Sequence, residues 1–303
     1  MSKLPYTDLN TALRARFGER VQKITVDAGF TCPNRDNTLS TGGCIYCGSR
    51  GSGTGMFPEK SITEQIESAK KFLGRRYKAK KFIAYFQSFS NTYAPIDTLR
   101  KLYEEALAID NIVGLAIGTR PDCVAENVLE LIDELAEKTY ISMEYGLQSI
   151  HDTTLKLINR GHTYQDFKDA ASRTRARGIE VCAHVILGLP GENKENMLAT
   201  AKALGELEIQ AVKIHLLYVI RGTALHEMYE RGDFRFLTRE EYTDIVCDFL
   251  ALLPRDTVIH RLTGDPHPGE LVAPLWALEK EANINAIRDN LRCKNIWQGK
   301  LSL

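Results

Sequence analysis

The sequence predicts an α/β fold in which parallel strands alternate with helices and close into a full or partial barrel. Two observations predict it. First, six short, β-branched, almost continuously apolar runs alternate with longer amphipathic segments across about 210 residues, the pattern of a parallel sheet covered on both faces. Right-handed crossovers taken in sequential order close such a sheet into a barrel. Second, the loop after the first run carries three cysteines and continues for some 30 residues. A doubly wound open sheet would place a Gly-rich turn opening directly into a helix there.

The elements follow in order. "KITVDA" (23–28) reads as the first strand, and the cysteine loop follows it. "SITEQIESAKKFLGRRY" (61–77) reads as a helix opened by a capping box, Ser61 with Glu64. "KFIAYFQ" (81–87) is a strand and "IDTLRKLYEEALAI" a helix; "IVGLAIG" (112–118) is a strand and "AENVLELIDELAEK" a helix. "TYISMEYGL" (139–147) precedes helical segments around 150–158 and 165–177. "IEVCAHVILGL" (179–189) is a strand, "KENMLATAKALGELE" a helix, and "AVKIHLLYVI" (211–220) the sixth strand. Residues 1–235 thus form the barrel with an N-terminal segment. Residues 236–303 read as a mainly helical extension packed on it, with one short strand, "VIHRL" (258–262).

The 303 residues carry 39 basic and 39 acidic side chains, so any nucleic-acid partner has to be argued from local patches rather than net charge. The N-terminus lacks the apolar run of a signal peptide, and no stretch approaches the length that spans a bilayer. The expectation is a cytoplasmic protein without a membrane partner. Seven cysteines in such a chain read as reduced thiols, some of them metal ligands, rather than as a disulfide framework. Cys123, Cys182, Cys247 and Cys293 are scattered singly and read as small core residues.

Cys32, Cys44 and Cys47 differ from these four. They fall in "CPNRDNTLSTGGCIYC" as Cys-x11-Cys-x2-Cys. A four-thiolate zinc site uses two CxxC pairs, and only one exists here. A Cys3His site needs His151 or a later histidine, because the first 150 residues contain none; a zinc-stabilised binding module therefore remains a reading, though a strained one. An iron–sulfur cluster fits better, since three thiolates on a 4Fe-4S cube leave one iron free for a small-molecule ligand.

A cysteine loop after the first strand of such a barrel resembles the radical S-adenosylmethionine (SAM) superfamily. The long first gap is similar to that of the elongator catalytic subunit and its relatives. The ordered set "DAGFTCPNRD", "GGCIYC", "YFQSFSNTYAP", "IGTRPDC", "EYGLQSIHD", "NRGH", "VILGLPGE", "HLLYVIRGTALHEMY" and "RLTGDPHPGELVAPLW" resembles the YhcC/YtqA type over nearly the whole chain. The resemblance implies a partial (β/α)6 TIM-like barrel, a 4Fe-4S cluster on Cys32, Cys44 and Cys47, and SAM on the open iron. It further implies reductive cleavage of SAM to a 5′-deoxyadenosyl radical, with electrons from a reductant such as flavodoxin or ferredoxin.

By motif position, Tyr46 resembles the aromatic near adenine, and the "GLPGE" turn at Leu189 would meet that base with backbone groups. The usual Gly-rich turn for the SAM amino group is replaced by "FQSFSNTY", leaving Gln87 and Ser88 to supply polar groups. Glu144, Gln148 and His184 resemble the ribose partners. Arg160 in "NRGH" resembles the arginine that pairs with the SAM carboxylate, a contact suited to a guanidinium fork. Arg120 in "TRPD" ends the third strand and points at the same site, as a candidate substrate contact.

Substrate is read from the resemblance and from basic segments. Elongator relatives act on wobble uridine, and Gram-positive members of the YhcC/YtqA type are linked to conversion of 5-carboxymethylaminomethyl to 5-aminomethyl uridine. The run "KKFLGRRYKAKK", with Lys70, Lys71, Arg75, Arg76 and Lys78, and a second cluster at Arg288, Arg292, Lys294 and Lys300 around Trp297, are candidate RNA contacts. tRNA is the expected partner. A small metabolite is the alternative, in which case both basic runs are solvated surface.

Overall fold

The computed structural model describes residues 4–48, 51 and 60–302. Seven strands form one parallel sheet in the order β1 (Val21–Val26), β2 (Lys81–Phe86), β3 (Ile112–Thr119), β4 (Tyr140–Gln148), β5 (Glu180–Leu187), β6 (Ala211–Leu216) and β8 (Val258–Arg261). A separate antiparallel pair joins β7 (Val219–Ile220) to β9 (Leu271–Ala273). The helices are α1 (Leu9–Phe17), α2 (Ile62–Tyr77), α3 (Ile96–Leu107), α4 (Glu126–Ala136), α5 (Asp152–Leu157), α6 (Tyr164–Arg175), α7 (Lys194–Glu206), α8 (Ala224–Glu230), α9 (Arg239–Leu252) and α10 (Lys280–Cys293). Among the described residues no helix is long and apolar enough to cross a membrane.

Strand alternation sorts the side chains. Ile24, Phe86, Ile117, Met143, Val185 and Ile214 point outward into the layer of helices and form the main core. Their neighbours in sequence point inward and include Lys23, Tyr85, Glu144, Cys182, His184 and Lys213, which meet in the lumen. The helices start where their caps predict. The Ser61–Glu64 box opens α2, and Thr163–Asp166, Asn193–Asn196 and Thr238–Glu241 open α6, α7 and α9.

Two expectations change. The apolar run 211–220 is not one strand: β6 ends at Leu216, and β7 turns away to pair with β9. The strand expected at 258–262 does more than sit in a packed extension. It joins β6 as the seventh parallel strand, so residues beyond 236 complete the sheet. The edge that β8 leaves open is covered by the N-terminal segment, where Asp8 bridges Ile259 and the Ile259 N–H donates to the Thr7 carbonyl at 2.8 Å. Covering an edge in this way removes a template for unwanted strand pairing.

Candidate active site

The cysteine loop leaves the C-terminal end of β1 and is pinned to the segment after α5. Ile45 N–H donates to the Ile158 carbonyl (3.1 Å), and Asn159 Nδ2 donates to the Gly43 carbonyl (2.8 Å). A tight turn brings Cys47 N–H onto the Cys44 carbonyl at 2.9 Å. Arg35 closes the far end by donating to the carbonyls of Cys47 (2.8 Å) and Gly48 (2.6 Å). Cys32 and Cys44 are buried, and Cys47 is half-buried. Burial and the neighbouring Cys44, with a smaller effect from Cys32, push the Cys47 thiol up to about 11.

Arg160 lies beside this centre. Its Nη2 donates to the Gly146 carbonyl (2.7 Å), its Nε to His162 Nε2 (2.9 Å), and its Nη1 points at Cys44 Sγ (3.5 Å). Burial opposes ionisation of Cys44, but Arg160 and Arg120 outweigh it and hold the thiol below its ordinary range. His162 is held down to about 3 by burial and the two arginines, so it stays neutral. Arg120 is itself buried, bound through Nε and Nη2 to Asp122 (2.9 and 2.7 Å) and through Nη1 to the Arg160 carbonyl (2.7 Å). Two glycines make this packing possible. A Cβ at Gly146 would lie 2.5 Å from Arg160 Nη2, and one at Gly161, whose φ is +77°, would lie 2.6 Å from Asn34 Oδ1.

Three cysteines and two adjacent guanidinium groups suit an anionic iron–sulfur centre and its carboxylate-bearing ligand. Cys32, Cys44 and Cys47 are the residues that would hold the cluster, and Arg160 is placed to meet a carboxylate.

The remaining predicted residues divide into groups. Tyr46 and Leu189 come together in one apolar cluster with Leu155, Ile158 and Leu217. Ser88 is buried, and Gln87 N–H reaches the Val26 carbonyl at the end of β1. Gln148 sits at a bulge between β4 and β5 with φ +73°, in the left-handed region. Glu144 is separated from Gln148 and lies deeper, fully buried in the lumen. There it takes an ion pair from Lys23, a hydrogen bond from His184 Nε2 (2.7 Å) and an ion pair from Lys213 (3.2 Å). His260 Nδ1 stands 3.7 Å away. Burial raises the cost of the Glu144 charge, but Lys213 and Lys23 overcome it and hold the carboxyl well below its usual range. Burial lowers Lys213 to about 8, and with the lysine charges it lowers His184 to about 4 and His260 to about 3, against opposing Glu144.

Lys23, Lys213, His260 and Arg261 were not among the predicted site residues. A lysine in the middle of an apolar run, as in "AVKIHLL", is the signal that could have found Lys213, because strand lysines are rarely buried unless paired. The basic run 70–81 lies elsewhere. It ends α2 and leads into the start of β2, so it sits at the N-terminal end of the strands, opposite the cysteines. Lys70 pairs with Glu67 (2.7 Å) and Arg76 lies over the rings of Phe72 and Tyr77. Lys71, Arg75 and Lys78 make no ion pair among the described residues. In the second cluster, Arg288 donates to the Tyr6 hydroxyl, Lys294 pairs with Asp244, and Lys300 covers Trp297.

Residues 32–204 match the Radical SAM superfamily, and residues 209–292 match the Radical SAM C-terminal domain. YtqA of Bacillus subtilis is 41% identical over 297 residues, covering 97% of this chain and 92% of its own. The tRNA uridine(34) acetyltransferase of Methanocaldococcus infernus is 31% identical over 173 residues, which is 54% of this chain and 32% of that protein. The solved structure of the Methanocaldococcus infernus Elp3 with an N-terminal deletion has the same fold (TM-score 0.67, 21% identity, 92% of this chain and 64% of that one).

Proposed function

This chain belongs to the radical SAM superfamily, and from that premise we propose that it modifies tRNA at the wobble uridine, converting a 5-carboxymethylaminomethyl group to 5-aminomethyl. The observation that carries the tRNA substrate is the likeness of more than half of the chain to a protein named for acting on tRNA uridine 34. When bound, the 4Fe-4S cluster and SAM supply a 5′-deoxyadenosyl radical.

In this reading Cys32, Cys44 and Cys47 hold the cluster, and Arg160 orients the SAM carboxylate from its dock on Gly146. Arg120 keeps Arg160 in place by donating to its backbone carbonyl. Tyr46 and Leu189 pack against adenine and exclude water from that side. Gln87 and Ser88 serve the amino group, and His184, Glu144 and Gln148 the ribose. A wobble base would leave its stack to enter the barrel mouth. A second reading, action on a small metabolite, draws on one observation: the basic run 70–81 lies at the end of the barrel away from the cysteines.

The cluster is tested by anaerobic reconstitution. The wild type should turn brown with absorbance near ~400 nm, and Cys44→Ala should lose it; a colourless protein holding one zinc would end the enzyme readings. The substrate is tested by nucleoside analysis of tRNA from cells lacking the gene, in which 5-carboxymethylaminomethyl uridine should accumulate. If it does not accumulate and no other tRNA nucleoside changes, the tRNA reading fails.

A further inference from the structure

The lumen carries more positive charge than its one carboxylate answers. Lys23 and Lys213 both reach Glu144. The Arg261 side chain faces the same space and makes no hydrogen bond or ion pair with any described residue. With the histidines neutral, that is three cations against one anion. Arg261 is half-buried, which leaves its guanidinium open to a ligand.

The direction of Arg261 follows from an irregularity in β8. Val212 pairs with Ile259, but the next residue, Lys213, pairs with Arg261, so His260 is the extra residue of a bulge. The bulge turns both His260 and Arg261 toward the lumen, the re-aiming that bulges near functional sites achieve. His260 shows it by standing within 3.4 Å of Lys23 Nζ and of Cys182 Sγ. Arg261 shows it by lining one cavity with Lys23 and His260. His215 lies two residues beyond Lys213 on the same face of β6. Its ring lies 5.4 Å from that of His184, tilted by 39°, and makes no hydrogen bond with any described residue.

This group stands in register with the cysteine corner. Gly146 pairs with His184, His184 with Lys213, and Lys213 with Arg261. Gly146 is the residue whose carbonyl docks Arg160 beside Cys44. Arg261 is therefore in register with Gly146, the dock of Arg160, three strand spacings away, about 14 Å along the sheet.

We propose that Arg261, with His215 beside it and Lys213 behind it, is a subsite for a carboxylate carried by the substrate. A guanidinium fork matches a carboxylate bidentately, and His215 adds a neutral N–H donor. The proposal rests on the tRNA reading only for what carries the carboxylate: a 5-carboxymethylaminomethyl group ends in one. A backbone phosphate is the poorer fit, because a flipped base brings its edge, not its phosphate, into the lumen.

Two measurements on the reconstituted holoprotein test it. The first follows the Arg261 Nε–H signal by NMR, assigned by its absence in Arg261→Gln, during titration with N-methylglycine or methylamine. The signal should move saturably with N-methylglycine and stay still with methylamine; an unmoved signal overturns the subsite. The second compares binding of an anticodon stem-loop carrying 5-carboxymethylaminomethyl uridine with the same RNA carrying 5-aminomethyl uridine. The wild type should prefer the first by about tenfold, the worth of one charge-assisted contact. Arg261→Gln should bind the two equally, and bind the aminomethyl RNA as the wild type does. A variant that keeps the preference, or a wild type without one, overturns the subsite as a substrate contact. If the wild type binds neither RNA while the N-methylglycine shift persists, the carboxylate subsite stands and the tRNA reading falls.

Discussion

At the mouth of the barrel, the guanidinium groups of Arg120 and Arg160 are held chiefly by two backbone carbonyls, Asp122 and His162. In the lumen, one carboxylate is shared by two lysines and a histidine, with a second histidine nearby. The difference lies in what each cluster leaves over. Backbone carbonyls orient the mouth arginines without neutralising Arg160, so their positive potential falls on Cys44. The lumen sets Glu144, a side chain on β4, as the one counter-ion of Lys23 and Lys213. The mouth depends on close backbone approach, and the lumen depends on an internal counter-ion.

Removing the counter-ion is the most severe way to break this comparison. Glu144→Gln strands Lys23 and Lys213, both largely buried, and should cost about 3–5 kcal/mol, as loss of one partner of a buried pair does. Urea unfolding checks it; a loss below 1 kcal/mol would mean that water or rearrangement already screens the lysines. Acid is a gentler probe of the same cluster. His184 is held to about 4 and His260 to about 3, against 6.5 when unfolded. Between those values and 6.5 the unfolded chain binds the extra protons, so stability is full above pH 6.5 and falls as the pH drops toward 4. For His184 the loss is roughly 3 kcal/mol at pH 4. A denaturation midpoint that is flat from pH 7 to 4.5 would contradict it.

The mouth responds to a change of one methyl group. Gly146→Ala places Cβ against Arg160 Nη2 and Gln148 Nε2. It should cost about 1–3 kcal/mol in stability through overpacking. SAM affinity, read by equilibrium dialysis, should fall about tenfold as Arg160 leaves its dock. Unchanged affinity would show that Arg160 does not bind SAM from that position.

Much of the fold could be read locally. The alternation of apolar runs and capped amphipathic segments is written in consecutive residues, so six strands and the box at Ser61 and Glu64 were legible. The break at Leu217 and Tyr218 was not, because the apolar pattern continues through it while the chain turns toward β9. At the mouth, the cysteine spacing and "NRGH" picked out residues that the fold brings side by side, Arg160 and Cys44. In the lumen, His184 and Glu144 were named from motif position, but their cationic partners were not.

The sequence by itself determined the elements, their order and the three thiols, because caps, periodicity and spacing act between residues near one another in the chain. Only the tertiary structure decided that Lys23, Glu144, Lys213 and His260 share one charge balance. These residues lie on β1, β4, β6 and β8, and sheet register alone brings them together. A one-residue bulge in β8 turns Arg261 inward, and no local pattern records which residue of "VIHRL" is the extra one.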